Sequence, residues 1–176
     1  PYTTLFRSLE NESLVITPGN YGQGYLSRYL NIEKNVKCSN YIGETIDMAA
    51  AYGFKNLLIV GNIGKLVKLA AGIMNTHSKT ADGRGEIFAL HYLLTGGKRE
   101  KAIEIMKCIN TDEMLEIIDK EGLREKVMKS ICNKINEHIK RRGGNEMRTG
   151  AVLFSEKFGL IGQTEEAEYI LKKGFE

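Results

Sequence analysis

Asn56-Leu57-Leu58-Ile59-Val60-Gly61-Asn62-Ile63-Gly64 is the stretch of sequence that decides the fold. Its apolar part, residues 57–60, is uninterrupted, as in a strand that is covered on both faces of its sheet. The glycine-bearing turn that follows leads directly into an apolar helix pattern over residues 66–73. The order strand, turn, helix is typical of a parallel sheet whose strands are joined by crossover helices.

Two weaker copies of this pattern precede it. Residues 14–17 form a short, mainly apolar run that leads into the turn Pro18-Gly19-Asn20, after which we predict a helix over residues 21–30. A short strand is predicted over residues 35–38, followed by a helix that Ser39 or Asn40 caps. The pattern therefore occurs three times in the first 75 residues, which favours an α/β fold.

The second half of the chain is predicted to be mostly helical before it returns to strands. Helical patterns cover residues 85–142, and Asn110 or Thr111 is a suitable cap within this segment. A strand over residues 151–154 is followed by a hairpin partner and by a last helix that Thr164 caps. We therefore predict a mostly parallel, Rossmann-like sheet with flanking helices, a helical segment near 85–142 and a C-terminal hairpin plus helix.

Composition excludes several classes of protein. The 176 residues are 42% hydrophobic and carry a net charge of +3, which argues against disorder and gives no sign of nucleic-acid or membrane binding. No run approaches the roughly 18 apolar residues of a membrane-spanning helix. The three cysteines show neither disulfide nor zinc spacing, so we expect a reducing, cytoplasmic location and no protein-held metal.

The first eight residues are set apart from this prediction. Pro1 is not an initiator methionine, and residues 1–8 resemble a translated sequencing adapter. We expect residues 1–8 to be a non-native leader and residues 9–176 to be one C-terminal α/β domain of a truncated protein.

Glycine-bearing turns at the predicted strand ends form the first group of candidate site residues. Ligands of open α/β sheets bind at the carboxyl ends of strands, where glycine permits a close approach of the backbone. None of the turns matches a dinucleotide-binding or Walker A pattern, and each glycine can equally be structural. The candidates here are Gly19, Asn20, Tyr21, Gly22, Ser39, Asn40, Gly43, Asp47, Gly61, Asn62 and Gly64.

A dense polar segment after the helix of residues 66–73 forms the second group. Within it His77 is the candidate for proton transfer or ligand contact, with a hydrogen-bonded loop histidine as the alternative. Cationic side chains three apart, at Lys65 and Lys68, can bind carboxylates or phosphates, or can lie on a solvated helix face. The remaining candidates are Asn75, Thr76, Ser78, Lys79, Asp82, Arg84 and Glu86.

Three segments carry a resemblance to a known family: VITPGNYG (15–22), KCSNYIGETID (37–47) and LLIVGNIGKLVKLAAGIMNTHSKTADGRGE (57–86). Together they resemble the cobalt-precorrin-5B C1-methyltransferase family (CbiD) of cobalamin biosynthesis, in its C-terminal portion. One departure is Asn62, which stands where many members have histidine.

The resemblance implies a reaction and its ligands. S-adenosylmethionine would donate a methyl group to C1 of cobalt-precorrin-5B, a carboxylate-bearing tetrapyrrole, to give cobalt-precorrin-6A. The strand-end turns would hold this cosubstrate, the polar segment with Lys65 and Lys68 would bind the tetrapyrrole, and His77 would be catalytic. Cobalt would arrive with the substrate. Contacts with other enzymes of the pathway and self-association stay open, and so do two rival interpretations: a nucleotide- or phosphate-binding α/β enzyme, and an inactive fragment that only folds.

Overall fold

The protein is seen here in a computed structural model that describes residues 12–19 and 21–173. A five-stranded sheet with the order β2-β1-β3-β4-β5 forms its centre. The first four strands are parallel, and β5 runs antiparallel to β4, so the predicted mostly parallel sheet and terminal hairpin are confirmed. The predicted leader lies outside the described residues. The strands are β1 Ser13–Thr17, β2 Val36–Lys37, β3 Asn56–Asn62, β4 Arg148–Ser155 and β5 Gly159–Gln163.

Helices connect these strands and cover the sheet. The predicted helical segment near 85–142 is confirmed and consists of α4 to α7, and the final helix, α8, follows Thr164 as expected. In the described part of the chain, no helix is both long and apolar enough to cross a bilayer. The helices are α1 Tyr21–Tyr25, α2 Ile42–Ala51, α3 Ile63–Leu66, α4 Arg84–Leu94, α5 Arg99–Lys107, α6 Thr111–Lys120, α7 Arg124–Gly143 and α8 Glu165–Lys173.

The sheet is buried on both faces. In β3, Leu57 and Ile59 face a large core shared with α2 to α7, whereas Leu58 and Val60 face a smaller core shared with α1 and α8. These four side chains are fully buried. Two-sided burial explains why this stretch of sequence is continuously apolar rather than alternating.

Two helix starts differ from the sequence-based expectation. Neither Ser39 nor Asn40 caps α2, because Ser39 adopts a left-handed backbone conformation (φ 53°) and the helix begins only at Ile42, after Tyr41. The helix after β3 begins earlier than expected, at Ile63. Its start is fixed by the Asn62 side chain, whose Oδ1 accepts a hydrogen bond from the Gly64 N–H at 2.8 Å.

The predicted helix over residues 21–30 is composite. Its first part, α1, is α-helical, and Leu26–Leu30 continues it as a π-helix that ends where Asn31 adopts a left-handed conformation (φ 52°). The helix after β3 is composite as well, since α3 continues as a 3-10 helix over Val67–Ala71. Both irregular helices lie next to the carboxyl end of the sheet, where the candidate site residues are found.

Candidate functional site

The carboxyl ends of β1, β2 and β3 meet at one edge of the sheet. Thr17 at the end of β1 pairs with Lys37 of β2, and Asn62 at the end of β3 pairs with Phe154 of β4. Because the chain goes from β1 outward to β2 on one side and from β3 outward to β4 on the other, this edge contains the switch point of the topology. Such a switch point is where open α/β sheets bind their ligands.

The segment from Met74 to Arg84, here called the edge loop, folds back over this edge. Asn75 forms an antiparallel bridge with Tyr41, and the Thr76 N–H donates a hydrogen bond to the Asn40 carbonyl at 3.0 Å. The Thr76 hydroxyl also lies 3.3 Å from Asn40 Oδ1. The structure therefore brings the predicted polar segment against the turn that follows β2.

The buried side chain of Lys68 holds the edge loop in place through hydrogen bonds to its backbone. Its side chain is 3% exposed, and its ammonium donates hydrogen bonds to the carbonyls of Ala81 at 2.7 Å and Thr76 at 3.2 Å. Burial lowers the pKa of Lys68, and the Asp82 carboxylate, 3.9 Å away, opposes this shift. The Lys68 ammonium therefore makes its hydrogen bonds within the protein, to two backbone carbonyls that lie 8 and 13 residues further along the chain.

Lys65 lies beside this anchor but has a different environment. Its ammonium donates a hydrogen bond to Asn40 Oδ1 at 2.8 Å and lies close to the backbone of Gly19. Burial lowers the pKa of Lys65. The neighbouring thiol of Cys38 is itself buried, which raises its pKa to about 12 and keeps it neutral. Within the described residues Lys65 therefore forms no ion pair, although it is partly withdrawn from water.

Asp82 and Arg84 form an ion pair with each other at the end of the edge loop. The guanidinium donates to both carboxylate oxygens, at 2.5 Å and 2.8 Å. The hydrogen bond from Arg84 is the main reason why the pKa of Asp82 is lowered. Each charge is already compensated by the other, so Lys65 is the more available cation for an anionic ligand.

His77 is exposed on the edge loop, and one of its ring nitrogens is already engaged. The Lys79 N–H donates a hydrogen bond to His77 Nδ1 at 3.1 Å, while the His77 N–H donates to Asn75 Oδ1 at 3.1 Å. A backbone N–H can only donate, so Nδ1 must be the acceptor and the ring proton lies on Nε2. In this arrangement His77 presents a hydrogen-bond donor, not a proton acceptor.

At three of the candidate positions, close packing alone explains why the residue is glycine. A Cβ on Gly22 would lie 2.8 Å from both the Thr17 Cβ and the Val60 carbonyl oxygen. A Cβ on Gly61 would lie 2.9 Å from the ring of Pro18, and one on Gly43 would meet the Arg142 guanidinium at 2.5 Å. These contacts let the turns pack tightly and account for glycine without a ligand.

Of the other predicted site residues, Asp47 forms an ion pair and several are exposed to solvent. Asp47 accepts two hydrogen bonds from Arg142, at 2.8 Å and 2.6 Å, which tie α2 to the end of α7 and raise the pKa of Arg142. Asn20 lies outside the described residues. The exposed candidates are Tyr21, Ser39, Ser78, Lys79 and Glu86.

The start of α6 also reaches this edge, which the sequence reasoning did not anticipate. The Ser155 hydroxyl at the end of β4 donates to Asp112 Oδ1 at 2.7 Å, and Thr111 Oγ1 lies near Gly64. The cap on α6 was recognisable, and Asn110 Oδ1 does accept from the Glu113 N–H at 3.0 Å. However, no sequence pattern connects this helix start with β4.

Comparison with known proteins identifies the domain. The family model of the CbiD C-terminal domain matches residues 75–165. The curated cobalt-precorrin-5B C(1)-methyltransferase of Ruminiclostridium cellulolyticum is 49% identical over 148 residues, which is 83% of this chain and 38% of that protein. No solved structure matches the chain.

Two further relatives have the same name. The protein of Clostridioides difficile is 32% identical over 92% of this chain and 40% of its own length, and that of Photorhabdus laumondii is 33% identical over 94% and 45%. The chain thus spans less than half the length of these curated relatives. The matched family model begins within the edge loop and ends at the start of α8, so it covers the helical half of the fold. On this evidence the chain belongs to the CbiD family and contains its C-terminal domain.

Proposed function

We propose that this domain takes part in the methylation of cobalt-precorrin-5B at C1, with S-adenosylmethionine as the methyl donor and cobalt-precorrin-6A as the product. The names of its relatives support the reaction. The observation in the structure that carries the proposal is the partly buried ammonium of Lys65 at the carboxyl edge of the sheet, which forms no ion pair with any residue that the structure describes.

An ammonium that is partly withdrawn from water is costly unless an anion compensates it. In the described part of the chain, Lys65 has an amide oxygen as its partner and no carboxylate. The proposed substrate carries several carboxylates around a flat macrocycle, and one of them could complete the environment of Lys65. The exposed Lys79 on the edge loop adds a second positive charge for the same kind of ligand.

The reaction itself requires little proton transfer from the protein. C1 supplies an electron pair to the methyl carbon, the sulfur keeps the electrons of the broken S–CH3 bond, and S-adenosylhomocysteine leaves. The positive charge of the sulfonium passes to the macrocycle, which loses a proton. The protein then acts mainly by holding donor and acceptor in line and excluding water. Because Nδ1 of His77 accepts from the Lys79 N–H, its Nε2–H is available to donate, which fits the role of orienting a substrate carboxylate.

Ligand binding separates this proposal from its rivals. In titration calorimetry we expect the chain to bind S-adenosylhomocysteine and a carboxylated corrinoid such as cobyrinic acid, and to show no heat with ATP or NAD. Binding of ATP in place of S-adenosylhomocysteine would favour a phosphate-binding enzyme. Absence of all binding, while a full-length relative binds both ligands, would favour a fragment that only folds.

Replacing Lys65 by alanine should weaken corrinoid binding about tenfold, because a charge-assisted hydrogen bond is lost. Burial lowers the pKa of Lys65, so in the wild type the affinity should fall as pH rises through a value below the 10.5 of an ordinary lysine. Lys65→Arg should keep the charge and flatten this pH dependence. Equal affinity of Lys65→Ala and wild type, at low and at high salt, would contradict the assignment.

The His77 prediction concerns turnover in a full-length enzyme that contains this domain. His77→Asn retains an acceptor for the Lys79 N–H but removes the Nε2 donor, so we expect kcat to fall on the order of tenfold while the unfolding midpoint stays unchanged. Equal kcat of His77→Asn and the wild type would contradict a role of His77 in orienting the substrate.

A further inference from the structure

A cavity opens at the carboxyl edge of the sheet, on the face opposite the edge loop. It has a volume of about 390 Å³, which is within the range of small-molecule sites. Aromatic rings dominate its walls. Tyr25 and Phe154 are buried and stacked with their ring centroids 4.3 Å apart, while Tyr21 and Tyr29 are 64% and 59% exposed. The cavity begins at Tyr21, directly after the turn that follows β1, and is called here the tyrosine pocket.

The helix that supplies these tyrosines is irregular at this place. Leu26–Leu30 forms a π-helix, and the ring of Tyr29 approaches that of Tyr25 with a centroid distance of 4.7 Å. π-Helical turns are uncommon and are frequent at functional sites, because they cost stability that a plain helix would keep. The large exposed rings of this helix also forgo stability, because their apolar surface remains in contact with water.

Two opposite charges also line the tyrosine pocket. Arg28 lies on the π-helical turn and Glu156 follows β4. Neither takes part in an ion pair with any residue that the structure describes. The pocket thus offers flat aromatic surfaces, one cation and one anion to the same ligand.

We propose that the tyrosine pocket binds the methyl donor, an inference that rests on the proposed function. The exposed rings of Tyr21 and Tyr29 stack on the adenine, Arg28 binds the amino-acid carboxylate, and Glu156 binds the ammonium group. Purine stacking on aromatic side chains and pairing of guanidinium with carboxylate are both favourable. The positive charge of the sulfonium is stabilised by cation–π attraction to the neighbouring ring faces, as other cations are.

This assignment places donor and acceptor on opposite faces of the sheet. The tyrosine pocket belongs to the side of the smaller core, which contains Tyr25 and Phe154, whereas Lys65 and the edge loop belong to the side of the larger core. Both sides reach the carboxyl ends of β1 and β3, so the two ligands can meet above the strand ends. An aromatic pocket of this volume fits a nucleoside better than a macrocycle of four pyrrole-derived rings.

Titration of the chain with S-adenosylhomocysteine and, separately, with adenosine tests the inference. Tyr29→Ala should weaken both ligands about tenfold, the loss expected when a base loses an aromatic partner. Arg28→Gln should weaken S-adenosylhomocysteine but leave adenosine unaffected, because adenosine has no carboxylate. Tyr169→Ala is the matched control, since this exposed tyrosine lies under Arg148 at the opposite, amino end of β4 and should change neither affinity.

The outcomes distinguish failure of the inference from failure of the proposed function. If the wild type binds S-adenosylhomocysteine and both variants bind it equally well, the tyrosine pocket is not the donor site, although the proposed function stands. If Tyr29→Ala weakens cobyrinic acid and not S-adenosylhomocysteine, the pocket belongs to the acceptor and the inference is overturned. If the wild type binds neither S-adenosylhomocysteine nor adenosine, the donor half of the proposed function falls together with the inference.

Discussion

Replacing Lys68 by methionine is expected to lower the free energy of unfolding by about 2 kcal/mol and to loosen the edge loop. The substitution leaves the carbonyls of Thr76 and Ala81 without their donor, and an unsatisfied buried acceptor costs about 1–3 kcal/mol. The substitution also removes the desolvation penalty of a buried ammonium, which offsets part of this loss. The expected loss of stability is therefore smaller than the summed cost of two unsatisfied carbonyls. Urea unfolding measures the loss of stability, and hydrogen exchange of residues 76–84 measures the loosening.

Lys79→Met is the matched control for this experiment. Lys79 belongs to the same loop, but its side chain is exposed, so the same substitution should change stability by less than about 0.5 kcal/mol. The anchoring role of Lys68 would be contradicted if the two variants unfolded at the same urea concentration and exchanged residues 76–84 at the same rate. In that case the backbone hydrogen bond between Thr76 and Asn40 would be sufficient to hold the loop.

Much of the fold could be predicted because its signals are local. The apolar run of β3 is buried on both faces, and the cap Asn110 lies directly before the helix it starts. The turn between β4 and β5 is short, so their pairing could be predicted as well. In each case the residues that determine the structure are close together in the sequence.

The arrangement of the site depends on contacts that are distant in the sequence. Asp47 and Arg142 are separated by 95 positions, and no local pattern pairs them. Lys65 and Lys68 could be placed on one side of a helix, but their different surroundings depend on Asn40 and on the edge loop. A lysine that holds a loop and a lysine that forms no ion pair with a described residue have the same local sequence signature.

The role of the strand-end glycines also cannot be predicted from the local sequence, because it depends on contacts with distant residues. Gly22 provides a test. Gly22→Ala should lower the free energy of unfolding by about 2 kcal/mol, within the usual range for an overpacked site. The new Cβ would lie 2.8 Å from the Val60 carbonyl oxygen, which belongs to the backbone of the central strand and cannot move cheaply. Relief requires α1 to shift away from β1 and β3, so the tyrosine pocket should be displaced and the affinity for S-adenosylhomocysteine should fall as well.

Gly24→Ala separates this packing effect from the general effect of glycine in a helix. Gly24 belongs to the same helix, but a Cβ there would meet nothing within 4 Å. Alanine is favoured over glycine in helices by about 1 kcal/mol, so Gly24→Ala should be neutral or stabilising in the same urea titration. Similar behaviour of the two variants would show that α1 does not pack closely on the strand ends. Opposite signs would show that Gly22 is required by the contact between α1 and the sheet, a reason for glycine that holds whether or not a ligand is bound.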